Sequence, residues 1–382
     1  MKNDWQTAKR TGAMLVLVGG AAVACGKTDA PAKTDSANGA MATAPAAKTG
    51  DSASRAGAGT AAAPGTPDGE MQPVLDQLAS LHGKPIETLS ALEARKQPTP
   101  ADAAKKQLGK EGKTTAPPAG VTLTNRTVKG AAGSLPANIY TPAGAGPFPV
   151  IVYYHGGGWV IANKDVYDGG ARALSLMANA IVISADYRLA PEHKFPAAHD
   201  DALAVYRWAL DNAASIKGDP KRVALAGESA GGNLAVATAI AARDGKLQMP
   251  LAIVSVYPIA GGDTTTASYT ENANAKPLSR AMMSWFFDKY QRTPADRMDP
   301  RINLVGANLK GLPPTTIINA QIDPLRTDGE MLAARMRDAG VSVDQKTYEG
   351  VTHEFFGMGA VHGKAKDAEG YAADALKKAF SK

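Results

Sequence analysis

Cysteine is almost missing from this chain of 382 residues, since Cys25 is the only one. A single cysteine excludes an internal disulfide and a zinc site built on several cysteines. Aromatic residues make up only 6% of the chain, and no run of lysine or arginine is interleaved with them. The net charge of +6 is scattered, so nothing in it favours binding of nucleic acid.

Branched apolar and aromatic residues are absent from residues 26–70, where no Leu, Ile, Val, Phe, Tyr or Trp occurs. Alanine, glycine, threonine, serine and proline dominate this stretch, with scattered charges between them. Such a segment cannot bury enough apolar surface to offset the entropy lost on ordering. We therefore expect a disordered tether over residues 25–70.

A long apolar run is missing as well, because the apolar stretch at 13–23 is too short to span a bilayer permanently. Basic residues precede it, and the small residues Ala22-Val23-Ala24 follow it, as in a secretory signal peptide over residues 1–24. Ala-Val-Ala-Cys resembles the bacterial lipobox, although Ala22 replaces the commoner Leu. Two interpretations stay open: a lipoprotein anchored through Cys25, which we favour, or a soluble protein released by cleavage after Ala24.

The remaining chain alternates short apolar runs with amphipathic stretches, which predict buried strands and helices respectively. We predict strands at 121–128, 135–140, 150–154, 180–185, 223–226, 251–256, 315–322 and 341–348, and helices at 168–178, 197–213, 233–242 and 328–339. This alternation indicates an α/β fold, with a mostly parallel central sheet and helices on both faces. A helical patch of Met and aromatic residues at 282–287 either belongs to the core or closes over a site, and we favour the core.

Short helices are also predicted ahead of the sheet, in a cap segment at 71–115. Apolar residues recur at helical spacing over 71–81, and capping-box pairs at 90–93 and 99–102 mark two further helix starts. These helices either pack against the body of the protein or form part of a lid over a substrate pocket. The sequence alone does not separate the two roles.

Ser229 lies at the junction of a predicted strand and a predicted helix, within Gly-Glu-Ser-Ala-Gly-Gly (227–232). Gly227 and Gly231 flank it, and in a sharp turn a side chain at either position would collide with neighbouring backbone. The pattern is that of a nucleophile elbow, which lifts a serine hydroxyl to a helix N-terminus. A phosphate-binding turn is the alternative, but no Gly-Lys-Ser/Thr follows.

Three consecutive glycines follow the third predicted strand, in His-Gly-Gly-Gly-Trp (155–159). Glycines let the backbone turn its N–H groups toward a ligand, as an oxyanion hole requires. We assign the oxyanion hole to the amides of Gly157, Gly158 and Ala230, the last being the residue after the candidate nucleophile.

Four motifs together resemble those of the hormone-sensitive-lipase-like esterases, also called bacterial family IV. They are His-Gly-Gly-Gly-Trp (155–159), Asp-Tyr-Arg-Leu-Ala-Pro-Glu-His (186–193), Gly-Glu-Ser-Ala-Gly-Gly (227–232) and Asp-Pro-Leu-Arg (323–326). The similarity runs roughly over 135–356 and includes the cap segment, but not the signal or the tether. It implies an α/β-hydrolase fold with a small helical cap, an ester substrate, and neither a metal nor an organic cofactor.

The resemblance also implies the partners of Ser229. In the family an Asp after the seventh core strand orients the base, and a His after the eighth strand is the base, which indicates Asp323 and His353. Asp328 is the alternative acid, but we expect it to cap the next helix. His362 also follows the acid in sequence, and we expect it to be a solvated surface residue.

Other polar residues near these motifs are given structural roles. His155 and Gly156 are expected to support the oxyanion loop, and for His155 we favour this role over that of a catalytic base. In the family the 186–193 loop braces the oxyanion turn and the top of the sheet. Asp200 and Asp201 are expected to provide caps and salt links at the following helix.

The expected chemistry is acyl transfer through an acyl-enzyme. His353 takes the proton of Ser229 as the hydroxyl attacks an ester carbonyl, the amides hold the oxyanion, and Asp323 orients the imidazole. Glu354 departs from the family pattern, because many relatives carry Gly there. The change can alter the packing of the loop but leaves the imidazole in place.

The expected function is therefore a serine carboxylesterase for short- to medium-chain acyl esters, located outside the cytoplasm and anchored to a membrane by its lipid. The same site would serve a carbohydrate-ester deacetylase or an amide hydrolase. A non-catalytic binding protein on this fold is a further alternative, against which the intact Ser, Asp and His argue. The expected domains are a signal peptide (1–24), a tether (25–70), cap helices (71–115) and a catalytic domain (116–382).

Overall fold

The computed structural model describes residues 65–381. The predicted signal peptide, Cys25 and the tether up to residue 64 lie outside the described residues. Among the helices of the described range, none combines the length and the apolar character needed to cross a lipid bilayer.

Eight strands of the described range form one sheet. They are β1 (Val121–Gly130), β2 (Gly133–Pro142), β3 (Phe148–Tyr154), β4 (Ile181–Ala185), β5 (Gly218–Glu228), β6 (Ile253–Val256), β7 (Thr315–Ile322) and β8 (Val343–Thr352). Their order across the sheet is β1-β2-β4-β3-β5-β6-β7-β8. The β1–β2 and β2–β4 pairs are antiparallel, and every other neighbouring pair is parallel.

Helices precede the sheet and alternate with its strands. Within residues 65–381 they are α1 (Met71–Ala79), α2 (Ala91–Ala94), α3 (Pro100–Lys110), α4 (Asp168–Ala178), α5 (Ala197–Asn212), α6 (Ala230–Asp244), α7 (Ala267–Glu271), α8 (Arg280–Tyr290), α9 (Arg326–Asp338) and α10 (Gly363–Phe380). Helices α4 and α10 cover one face of the sheet, and α5, α6 and α9 cover the other. The predicted α/β fold is confirmed.

Strand β3 shows why the central strands are apolar along their whole length. Val150, Val152 and Tyr154 belong to the core beneath α5 and α6, whereas Ile151 and Tyr153 belong to the core beneath α4 and α10. Because both faces are covered, successive side chains are buried on opposite sides. The carboxyl ends of the parallel strands remain available for a site, as in other open α/β sheets.

Some predicted boundaries were wrong near the site. Helix α6 begins at Ala230 rather than at 233, directly after Ser229. Glycine disfavours a helix interior, but here Gly231 allows the helix to pack against the backbone of β3, since a Cβ at Gly231 would lie 1.9 Å from the carbonyl oxygen of Tyr154. Strand β8 extends to Thr352 and thereby delivers the next residue, His353, to the sheet end.

Asp68 holds residues 65–70, which the sequence assigned to the tether. Its amide donates to the carbonyl of Gly350 (2.8 Å), and its carboxylate accepts from Lys364 Nζ (2.7 Å) and contacts His362 Nε2 (3.0 Å). Burial by itself would raise the pKa of Asp68, but the hydrogen bonds and charges at its carboxylate outweigh burial and lower the pKa to about 2. The ordered body therefore begins before residue 71.

His362 is a correction to the sequence interpretation, because it is buried rather than solvated. Its Nδ1 accepts hydrogen bonds from the amides of Lys364 and Ala365, so that it caps α10. The partner on its other nitrogen, Asp68, lies 294 residues away in the sequence.

The cap segment lies at the carboxyl ends of the strands. Both predicted capping boxes are present, at Ser90–Glu93 and at Thr99–Asp102. Helix α8, which carries the Met and aromatic patch, joins them through a hydrogen bond of 3.1 Å from Trp285 Nε1 to the carbonyl of Leu89.

Candidate active site

Ser229 lies on a strained turn between β5 and α6. Its φ of 56° lies in the left-handed region, which is costly for a residue with a side chain. A Cβ at Gly227 would lie 2.2 Å from the carbonyl oxygen of Gly231, so both flanking glycines are required by close approach. The amide of Ser229 donates to the carbonyl of Val256 at the end of β6 (2.9 Å), which fixes the turn to the sheet.

The structure brings Ser229, His353 and Asp323 together. The distance from Ser229 Oγ to His353 Nε2 is 3.0 Å, and that from His353 Nδ1 to Asp323 Oδ2 is 2.6 Å. All three residues are at most 4% exposed. Asp323 is oriented in turn by the amide of Leu325, which donates to Oδ1 (2.8 Å). Burial by itself would lower the pKa of His353, but the charge and hydrogen bond of Asp323, together with the charge of Glu354, outweigh burial and the pKa is raised.

The glycine loop adopts backbone conformations that favour glycine. The φ values of Gly157 and Gly158 are 94° and 58°. Among the described residues, no protein atom accepts a hydrogen bond from the amides of Gly157, Gly158 or Ala230. Gly157 and Gly158 line the same cavity as Ser229 and His353. The donors predicted for an oxyanion hole therefore stand beside the nucleophile.

The support of this loop is as expected. His155 is buried, its Nδ1 lies 2.8 Å from the carbonyl of Gly156, and its ring stacks on Tyr187 with centroids 4.1 Å apart. The Tyr187 hydroxyl donates to the carbonyl of His155 (2.9 Å). Burial lowers the pKa of His155, which disfavours its charged form. No hydrogen bond joins His155 to Ser229 among the described residues, so His155 is not placed to act as a second base.

Asp201 ties the 186–193 loop to the body. It is fully buried and accepts from Arg188 Nε (2.7 Å) and Nη2 (3.0 Å), and also from the amide of Ala131 (2.9 Å). The predicted salt link is present. The predicted cap is not, because Asp200 and Asp201 lie inside α5 and neither caps it.

Asp328 lies away from the imidazole and does not cap α9, contrary to expectation. Its carboxylate accepts from the amides of Ala260 and Gly261 (2.9 and 2.8 Å), in the loop after β6. Burial raises its pKa to about 7. Asp328 therefore stabilises the loop after β6, because its carboxylate binds two amides of that loop instead of the amides at the start of α9.

Sequence reasoning missed Glu228, which lies next to the nucleophile. Its buried carboxyl accepts hydrogen bonds from the hydroxyls of Tyr153 and Tyr257. Burial, together with the nearby Glu354, raises the pKa of Glu228 well above its usual range. The Tyr257 ring also packs on His353, with centroids 4.4 Å apart. A carboxyl within a run of small apolar residues was the available signal.

Glu354 lies beside the imidazole, a position that the sequence did not predict. Its Oε1 lies 3.8 Å from His353 Nε2 and accepts a hydrogen bond of 2.5 Å from the Tyr167 hydroxyl. Burial raises the pKa of Glu354. The imidazole thus has a carboxyl group on each side.

A cavity of about 800 Å³ opens onto Ser229 and His353. The cap contributes to its walls, as do α8 and the residues after β3. Members from these elements include Leu75, Leu78, Ile86, Arg95, Val166, Met282, Met283 and Phe286. The cap helices thus line the site. The Met and aromatic patch has both roles, because Met283 and Phe286 are buried and also line the cavity.

Within residues 65–381, no three His, Cys, Asp or Glu side chains are grouped closely enough to hold a metal ion. The chemistry available from the described side chains is that of a serine hydroxyl, an imidazole base and backbone N–H donors.

Comparison with known proteins identifies the relatives of this chain. A family model described as the α/β hydrolase fold matches residues 151–357. Carboxylesterase NlhH of Mycobacterium tuberculosis is 40% identical over 253 residues, which cover 64% of this chain and 79% of that protein. Ethyl acetate hydrolase of Pseudomonas putida is 35% identical over 234 residues, covering 60% of this chain and 73% of that protein. The structure of an esterase from Pyrobaculum calidifontis matches with a TM-score of 0.72 at 33% identity, covering 81% of this chain and 98% of its own.

Proposed function

The chain belongs to the α/β hydrolase fold family, among its hormone-sensitive-lipase-like esterases, and from this premise we propose that it is a serine carboxylesterase. One observation carries the proposal: the hydrogen-bonded chain from Ser229 through His353 to Asp323 faces a cavity next to free backbone amides. The names of the esterase relatives support the same reaction class.

In the proposed reaction, Ser229 Oγ attacks the ester carbonyl while His353 Nε2 takes its proton. The amides of Gly157, Gly158 and Ala230 donate to the oxyanion of the tetrahedral intermediate. His353 then protonates the leaving alcohol, and water reverses these steps to release the acid. Asp323 keeps the imidazole in the required tautomer and stabilises its charged form.

We assign short- and medium-chain acyl esters as the substrates. A cavity of about 800 Å³ is of the size that proteins use for small ligands. Its walls carry mostly apolar side chains from the cap and α8, which suits an acyl chain better than a sugar.

The experiment compares hydrolysis of p-nitrophenyl esters of increasing chain length by the wild type and by Ser229→Ala. We expect turnover to be highest for short and medium chains and to be abolished in the variant, since no other group replaces the nucleophile. The thermal unfolding curve should hardly change, which serves as the control for folding. Normal turnover by the variant, or no covalent labelling of folded wild type by a fluorophosphonate, would refute the assignment.

We also propose that the enzyme is extracytoplasmic and held at a membrane by a lipid on Cys25. The basic residues at 2, 9 and 10, the apolar run at 13–23 and the tether-like composition that follows Cys25 support this proposal. Cys25→Ala should move the protein from the membrane fraction to the soluble fraction and abolish incorporation of labelled palmitate. Unchanged membrane retention would reject the anchor.

A further inference from the structure

Glu354 presents a carboxyl group on the side of the imidazole where bonds are made and broken. Asp323 contacts Nδ1 at 2.6 Å, whereas Glu354 Oε1 lies 3.8 Å from Nε2, the nitrogen that faces Ser229 Oγ. Both Glu354 and His353 line the cavity. A group that approaches Nε2 from the cavity therefore also approaches this carboxyl.

The backbone conformation of Glu354 is unfavourable for a residue with a side chain. Its φ of 67° lies in the left-handed region, where glycine is accommodated without the cost that a side chain brings. Strain of this kind at the edge of an active site is a reason to look for a function of the side chain.

The position of the carboxyl is fixed by Tyr167. The Tyr167 hydroxyl donates to Glu354 Oε1 at 2.5 Å, and Tyr167 is itself buried. About a fifth of the Glu354 side chain is exposed, at 20%, so it can still receive a ligand from the cavity. Whether it is ionised or protonated, a carboxyl group can accept a hydrogen bond from a hydroxyl.

Another carboxyl that lines the cavity is already engaged. Asp186 accepts from the amide of Lys164 (2.8 Å), and its other oxygen lies 3.6 Å from Lys164 Nζ. Glu354 is also held by a hydrogen bond, from Tyr167, but it lies 3.8 Å from Nε2, the atom that delivers the proton.

The proton transfer fixes where the alcohol must lie. For His353 to protonate the leaving oxygen, that oxygen must come within hydrogen-bond reach of Nε2. A hydroxyl on the carbon next to the ester-bearing carbon lies about 3 to 4 Å from the ester oxygen in its staggered conformers. This separation matches the 3.8 Å between Nε2 and Glu354 Oε1. Two parallel hydrogen bonds can therefore form, from Nε2–H to the leaving oxygen and from the second hydroxyl to Glu354.

We propose that Glu354 and Tyr167 form a polar subsite on the leaving-group side of His353, which selects esters whose alcohol carries a second hydroxyl next to the ester carbon. The favoured substrates are thus monoesters of diols and polyols. This inference rests on the proposed esterase function and deepens it by naming the alcohol class.

The test uses 2-hydroxyethyl butyrate and n-propyl butyrate, which share the acyl group and differ by one hydroxyl in place of a methyl. The ratio of their kcat/KM values, divided by the ratio of their hydroxide-catalysed rates, isolates recognition of the hydroxyl. We expect the wild type to favour the hydroxyethyl ester by about tenfold or more, since a hydrogen bond to a carboxylate discriminates to about that extent.

In Glu354→Gly the ratio should fall to near one, and the strained backbone should accept the change. Glu354→Gln, which keeps an acceptor for Tyr167 but no charge, should give an intermediate ratio and covers the case in which the glycine variant fails to fold. Glu349→Gln removes an exposed carboxylate of β8 outside the cavity and should leave the ratio unchanged.

Any of four results would overturn the proposal. A wild-type ratio near one, or a ratio that both Glu354 variants preserve, would remove the subsite while leaving p-nitrophenyl butyrate hydrolysis, and with it the esterase function, intact. A shift of the pH profile in these variants without a change in the ratio would likewise assign Glu354 to the imidazole alone. Failure of the wild type to hydrolyse p-nitrophenyl butyrate would reject the esterase function, and the subsite with it.

Discussion

The floor and the roof of the cavity are built in different ways. The floor consists of residues at the carboxyl ends of strands, namely Ser229, Asp323, His353 and the glycine loop. Its three reacting side chains are at most 4% exposed and are joined by hydrogen bonds of 2.6 and 3.0 Å. The roof consists of the cap segment (71–115) and α8, and partly exposed polar contacts help to hold the cap segment to the body.

Arg95, directly after α2, makes several of the contacts between the cap segment and the body. It donates to the carbonyls of Val160 (2.8 Å) and Ala190 (2.7 Å), and pairs with the half-exposed Glu192 (2.6 Å). Such contacts exchange more readily with water than buried ones. The difference teaches that the chemistry is fixed by the sheet, whereas the fit of the substrate depends on a cap that can be altered with less damage.

The largest effect should come from breaking the floor at Asp323. In Asp323→Asn the imidazole loses its tautomer control, and we expect kcat to fall about a thousandfold or more with little change in KM. Asp328→Asn is the matched control, since that carboxyl braces the Ala260 and Gly261 amides and does not contact His353. Equal losses of kcat in the two variants would contradict the assignment of the acid.

A second variant acts where floor and roof meet. A Cβ added to Gly158 would lie 2.3 Å from Phe286 of α8, and the φ of Gly158 is 58°. Gly158→Ala should displace the loop, weaken the oxyanion hole and lower kcat about a hundredfold. Gly370→Ala in α10, where a Cβ meets nothing within 4 Å, should leave kcat unchanged and slightly stabilise the fold. Normal kcat in Gly158→Ala would contradict the expectation that a side chain at this position displaces the loop and its amides.

Breaking the roof alone should have a smaller effect of a different kind. In Arg95→Ala the cap loses the hydrogen bonds of Arg95 to the carbonyls of Val160 and Ala190 and its ion pair with Glu192. We expect KM for a medium-chain ester to rise about fivefold while kcat changes by less than about twofold. Arg126→Ala, at an exposed position of β1, is the control. A fall in kcat without a change in KM would show that the cap acts on the chemistry instead.

The smallest effect concerns pH. Because Asp323 and Glu354 together outweigh burial, the pKa of His353 lies above the 6.5 of an ordinary imidazole. The base works only when neutral, so kcat/KM should fall with decreasing pH through a midpoint above 6.5. Arg95→Ala should leave this midpoint in place, since the roof does not contact the imidazole. A midpoint below that value in the wild type would mean that burial prevails.

Much of the floor could be predicted from the sequence, because the elbow and the strands depend on local patterns and the family resemblance implied the partners of Ser229. The elbow around Ser229 is specified by residues at two-residue spacing, and the apolar strands identify themselves by composition. Asp323 and His353 follow strand ends, so the topology of a parallel sheet brings them to one edge. The structure confirms that these residues meet.

The failures concern residues whose partners lie far away in the sequence. His362 was placed at the surface because its own neighbourhood is polar, yet it is buried against Asp68. The sequence predicted Asp328 to cap a helix, but its carboxyl accepts hydrogen bonds from two amides of a distant loop. Sequence reasoning missed Glu228, whose partners are Tyr153 of β3 and Tyr257 directly after β6. Local patterns carry no information on such pairs.

The sequence by itself determined the order of strands and helices along the chain and the sharp turn at Ser229, because both follow from spacing along the chain. Its resemblance to a known family indicated the residue types of the reaction. Only the tertiary structure decided which cap residues line the cavity, and that Glu354 lies beside Nε2 rather than in solvent. The physical reason is that burial and the distance between two polar atoms depend on how separate elements pack, and no single element specifies that packing.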